Sequence, residues 1–152
     1  MKELGETESI AFLKYNLAPP SLRRNIAILG MIHKKVLGEC HPSFDTLLPA
    51  KQTMEEGRHS KQIYAHWYEV VQHRALFNRS IFGMVDIYNN LSQSFVDSAT
   101  VSEFQSKLTK IAKVRCEASH PEWKASFCRR GGPECNGQIL EAEDDEDLPI
   151  LD

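Results

Sequence analysis

Between Pro19 and Gly38 the sequence permits only one kind of element. Two prolines open the stretch, and proline suits a first helical turn because the N–H it lacks would be unpaired there anyway. Leu22, Ile26, Leu29, His33 and Val36 then recur at intervals of four, three, four and three, which makes one apolar seam on a 3.6-residue helix. Gly38 follows as a C-terminal stop. The spacing predicts a helix over residues 19–37, and its seam must be covered by other parts of the chain.

Two later segments are suited to cover it. Residues 80–91 carry Ile81, Phe82, Met84, Val85, Ile87, Tyr88 and Leu91. On a helix Ile81, Val85 and Tyr88 share a face with Met84, Ile87 and Leu91 beside it, the pattern of a mostly buried helix. Thr100-Val101-Ser102-Glu103 has the form of a capping box, and Val101, Phe104, Leu108 and Ile111 continue at helical spacing to about Val114. Shorter elements are expected over residues 9–15, ending near Asn16, over 43–49 after the break at Cys40-His41-Pro42, and from Pro121 to near Phe127. Residues 50–62 read as a polar loop. Residues 63–71 are rich in aromatic and β-branched side chains and suit a strand or a buried helix, between which periodicity does not choose.

The expected fold class is mainly α, a small irregular helical bundle with a disordered acidic C-terminal tail. Its expected organisation is an N-terminal helical segment (1–18), a helical module (19–128) and the tail (129–152). At 152 residues the chain has the size of one ordinary domain. The formal charge of −3 hides an asymmetry, because residues 141–152 contain seven acids and no base. Residues 1–140 hold the other 14 acids against all 18 Lys and Arg, a balance of +4. Such a tail repels itself and buries too little surface to fold, although Leu148-Pro149-Ile150-Leu151 within it reads as a short partner motif. No apolar run approaches the roughly 18–20 residues of a membrane span, and the N-terminus is polar where a signal peptide needs an apolar stretch. Four cysteines without a secretion signal fit a reducing compartment. The expected localisation is intracellular, nucleus or cytoplasm, with no membrane partner.

No catalytic set emerges from the spacing. Cys116, His120, Cys128 and Cys135 lie within twenty residues, but zinc sites draw ligands from tight Cys pairs that are missing here. Unpaired thiols are therefore expected, and no metal or other cofactor. His33 sits on the apolar seam, where a core histidine with both nitrogens satisfied is expected in place of a catalytic base. Arg130-Gly131-Gly132-Pro133 is too short for a phosphate-cradling loop and lacks its lysine. Binding to nucleic acid has more support, since Lys and Arg neutralise phosphates while aromatic faces stack on unpaired bases. Arg23, Arg24, Lys34 and Lys35 fall off the seam, and Arg58, Lys61 and Arg74 lie near Tyr64, Trp67 and Tyr68. These seven are the candidate phosphate contacts; the alternative is a solvated helix face beside a half-buried aromatic cluster.

Two stretches, taken whole, carry a resemblance. Leu17-Ala18-Pro19-Pro20-Ser21-Leu22-Arg23-Arg24, continuing through Leu29 to His33-Lys34-Lys35, resembles the helix that follows the polymerase core in LINE-type non-LTR retrotransposon polyproteins. Arg79-Ser80 through Tyr88-Asn89-Asn90-Leu91, then Val96 and Ser102-Glu103-Phe104 to Leu108, is similar to the closing segment of the same proteins. Together the matches cover about half of the chain. Ser92 stands where that family usually has proline, residues 49–76 match poorly, and Cys116 to Cys135 lack the tight spacing of the family's zinc knuckle.

The resemblance implies the C-terminal, post-polymerase region of an RNA-directed DNA polymerase polyprotein, without the palm aspartates or the nuclease residues. Two-metal transfer needs fixed carboxylates around ions roughly 3.5–4 Å apart, and Glu55-Glu56 and the tail acids sit in polar stretches. The implied role is non-catalytic: weak, salt-sensitive RNA or DNA binding, or docking on a reverse transcriptase core. Two other readings are a helical interaction fragment that docks through an exposed seam, and a decayed reading frame without activity.

Overall fold

Helix α2 (Pro20–Val36) forms where the seam predicts it. In the computed structural model, which describes residues 2–51, 59–64 and 73–128, Leu22, Ile26, Leu29, Ile32 and His33 are all buried. The helix closes on Gly38, whose φ of 77° is a left-handed conformation that costs glycine nothing. Gly38 N–H returns to Lys35 O and Glu39 N–H to Lys34 O, the paired bonds of a Schellman stop.

Around α2 the chain is mainly α, a small helical bundle. The other helices are α1 (Lys2–Tyr15), α3 (Ser43–Leu47), α4 (Arg74–Arg79), α5 (Ile81–Asn89), α6 (Gln93–Val96) and α7 (Val101–Glu117), followed by a 3-10 turn at Trp123–Ala125. Helix α2 packs against α7 and α5, and α1 packs against α7. Among the described residues the extended pairing is one isolated antiparallel bridge, Ala50 to Ile63. Residues 65–71, which the sequence left between strand and helix, lie outside the described residues, as do 52–58 and the acidic tail from 129 onward.

The helix starts follow from their caps. Thr100 Oγ1 accepts from Glu103 N–H at 3.1 Å at the start of α7. The Glu103 carboxylate reaches back to Ala99 N–H at 3.1 Å, one residue beyond the N-cap amide that the capping box predicts. Ser80 caps α5, accepting from Gly83 N–H and donating to Phe77 O at 2.6 Å. Two helices run further than expected. Helix α1 starts at Lys2 in place of residue 9, because extending an existing helix adds one hydrogen bond per residue fixed and needs no apolar periodicity. Helix α7 continues past Val114 to Glu117 and stops on Ser119 at φ 54°; a serine gives no stop signal in the sequence.

One core joins α1, α2, α5, α6, α7 and the 3-10 turn. Phe12 of α1 is fully buried and stacks on Trp123 of the 3-10 turn, centroids 5.4 Å apart and rings 2° from parallel. The N-terminal segment therefore shares its apolar surface with the module that follows it. At the centre, His33 lies 4.3 Å from Phe104 in a stacked pair, and Tyr88 touches both.

Helices α4 and α5 meet at Gly83, where a Cβ would stand 2.3 Å from Phe77 O and 2.7 Å from Asn78 Cα. Both are backbone atoms and cannot swing aside. Gly83→Ala should therefore lower stability by roughly 1–3 kcal/mol, the range for overpacking a tight contact, in urea unfolding. Gly30→Ala meets only the flexible end of Gln105 and should cost less.

Candidate nucleic-acid interface

The exterior of α2 is its basic side. Arg23, Arg24 and Lys34 are exposed, and at 100° per residue they fall within an arc of about 100° with Ala27 and Met31 between them. Arg23 and Lys34 are eleven positions apart, so about 16 Å along the axis. The helix contains no acidic residue. Among the described residues none of these three cations has an ion-pair partner.

The other candidate cations fare differently. Lys35 has only 9% of its side chain exposed and pairs with Asp45 of α3 at 3.6 Å. Lys61 is half-buried and donates to Val96 O at 3.1 Å. Neither is free to meet a phosphate, which narrows the basic face from the expected four residues of α2 to three. Arg74 begins α4, but its side chain lies outside the described residues, as do Arg58, Trp67 and Tyr68.

Lys61 is held because its whole segment is clamped on the α5–α6 corner. Asn89 accepts from Ile63 N–H at 2.9 Å and donates to Ile63 O at 2.7 Å. Gln62 donates to Asn89 O at 2.9 Å, and Gln93 accepts from Ser60 N–H at 2.9 Å. His59 Nε2 donates to Tyr88 O at 2.9 Å, while its Nδ1 accepts from Lys61 N–H at 3.1 Å. Side chains of the corner thus pair with the backbone of residues 60–63 as a neighbouring strand would.

His33 is the satisfied core histidine that its place on the seam predicts. Its Nε2 lies 2.9 Å from Ser98 O, and a carbonyl only accepts, so that nitrogen carries the hydrogen. Nδ1 then accepts from the Tyr88 hydroxyl at 3.0 Å. Burial pushes the His33 and His59 imidazoles below their ordinary range, so both are held neutral; burial also pushes the Tyr88 hydroxyl far up. With both ring nitrogens engaged, neither histidine offers a free lone pair. Among the described residues no three His, Cys, Asp or Glu side chains converge as a metal site would require. Cys116 is buried at the end of α7, His120 is exposed, and Cys135 lies outside the described residues. Among the described residues no helix is long and apolar enough to cross a membrane.

Beside the basic face lies a cavity of about 260 Å³ between the end of α1, the first half of α2 and α7. Phe12 and Ile26 form its apolar floor, and Asn16, Arg23, Gln105 and Thr109 are its polar walls. Asn16 reaches it because α1 ends there in a left-handed turn, φ 57°. Gln105 reaches it across Gly30, the one position where the wall of α2 has no side chain to hold α7 away. Sequence reasoning misses this site, since its walls come from residues about ninety positions apart. The available signals were Asn16 as a helix-ending residue and Gly30 beside the apolar seam.

No protein-family model, curated protein or solved structure matches the chain.

The paired histidines make acid stability predictable. In the unfolded chain each takes up a proton near the ordinary value of 6.5, before the folded, buried ring does. The unfolded state then binds more protons, so stability is full above that range and falls as pH drops through it. Glu103, held below the usual carboxylate range by its hydrogen bond from Lys107 and by Ala99 N–H, adds its own loss only at more acid pH. Urea midpoints should be lower at about pH 5.5 than at about pH 7.5. The variant His33→Gln/His59→Gln should narrow that gap, and an equal midpoint at both pH values in the unmodified chain would contradict neutral, engaged rings.

Proposed function

We propose that this chain is a non-catalytic module that binds single-stranded RNA or DNA weakly through the outer face of α2. Its kind is the post-polymerase appendage of LINE-type non-LTR retrotransposon proteins. The observation that carries the reading is the division of labour along α2. Leu22, Ile26, Leu29 and His33 are buried in the bundle and Lys35 is paired. Arg23, Arg24 and Lys34 are exposed and have no structural partner among the described residues. Within the stretch that carries the resemblance, these three cations have no duty to the fold. The two engaged histidines support a non-catalytic role. The α2 seam packs on α5 and α7, which leaves the outer face of the helix as the surface it offers a partner.

Three phosphate contacts give a modest, salt-sensitive affinity. At roughly −0.7 per contact for single strands, log affinity falls against log salt with a slope near −2, about a twenty-fold loss from 50 to 200 mM. Arg23→Glu/Arg24→Glu/Lys34→Glu should abolish retention of single-stranded RNA at low salt. The reversal Lys51→Glu/Arg79→Glu, at exposed cations outside α2, should leave most of it. Fluorescence anisotropy across a salt series measures both, and equal binding by the triple variant and the unmodified chain would refute the assignment.

A further inference from the structure

We infer that the cavity beside the basic face is a nucleobase pocket, which accepts one unpaired base of the strand whose phosphates lie along α2. The inference rests on the nucleic-acid reading above and specifies what the face recognises. Three observations carry it. The first is size. At about 260 Å³ the cavity is below the roughly 300–1,000 Å³ of pockets that engulf a whole drug-sized ligand, so its occupant is a single small ring system.

The second is the chemistry of the walls. Asn16 and Gln105 line the cavity, and among the described residues neither carboxamide has a hydrogen-bond partner. Each offers an acceptor and two donors, the set that pairs with the donor and acceptor edge of a base. The apolar lining of Ala18, Ile26 and Ala27 suits the ring itself. Phe12 is fully buried and stacked on Trp123, so it backs the cavity and offers no stacking face.

The third is placement. Arg23 belongs both to the cavity wall and to the exposed basic arc, and Ala27, one turn on, is exposed at the rim. A strand tracking from Arg23 toward Lys34 carries its phosphates along the arc while one base turns inward past Ala27. Arg23 places positive charge on the cavity's own lining.

The test compares two fluorescein-labelled strands of equal length at low salt, oligouridylate and an abasic ribose-phosphate strand. The unmodified chain should bind oligouridylate about tenfold tighter, the scale of one bidentate amide–base contact. Ala27→Trp adds bulk at the rim and removes no charge. It should bring oligouridylate down to the abasic level while leaving the salt slope unchanged. Gln105→Leu, which keeps the side-chain size and removes the amide, should lower the preference for bases without Ala27→Trp and covers the case in which that variant fails to fold. Equal affinity of the unmodified chain for both strands, with the salt slope retained, would overturn the pocket and leave the basic face standing. Binding of neither strand would overturn the basic face, and the pocket with it.

Discussion

The fold depends on the hydrogen-bonded stack in which Tyr88 stands between two histidines. Its hydroxyl donates to His33 Nδ1, its backbone carbonyl accepts from His59, and its ring lies against His33, His59 and Phe104. Through these contacts one residue of α5 fixes α2, α7 and the segment after residue 59. Buried polar groups are costly unless they are paired. The His33 and Tyr88 side chains therefore constrain one another: if either leaves, the other keeps a buried donor or acceptor with no partner. Among the described residues the buried Ser98 hydroxyl has no partner. The main-chain oxygen of the same residue anchors His33, so Ser98 serves through its backbone.

The clamp on the α5–α6 corner extends that logic outward. Residues 60–63 follow a long polar stretch with little to bury, apart from Ile63, which is 1% exposed. Their position is set by amide side chains that read their backbone, Asn89 and Gln93, and by His59 turning back to Tyr88. A loop held in this way has no need of secondary structure of its own. It also uses Lys61, whose ammonium meets the Val96 carbonyl and so serves packing.

This contrast shows what the sequence could disclose. Periodicity finds α2, α5 and α7 because burial repeats with the helical turn, and it marks His33 as a core residue because it sits on the seam. Gly38 and Thr100 announce a helix end and a helix start through their own chemistry. What stays hidden is partnership. Lys34 and Lys35 are neighbours of identical charge in the sequence, yet one is exposed and the other is covered by Asp45 of α3. Lys61 beside aromatic residues looks like a phosphate contact until Val96 is brought within 3.1 Å. Ser119 ends α7 in a conformation that its identity does not advertise. Charge is written residue by residue, whereas the cancelling or spending of charge is decided by residues far away in the chain.

The core stack and the surface cavity are also linked. Helices α2 and α7 form two of the cavity walls, and their separation is set at one point by His33 stacked on Phe104 and at another by Gly30 facing Gln105. His33 lies three residues beyond Gly30 and Phe104 one before Gln105, so the buried pair and the close approach are adjacent turns of the same helix crossing. A bulkier residue at Gly30 would displace Gln105, and loss of the ring pair would let the helices slide. The polar core therefore does more than satisfy its own hydrogen bonds. By fixing the register of α2 on α7 it holds Arg23 and Gln105 around one opening.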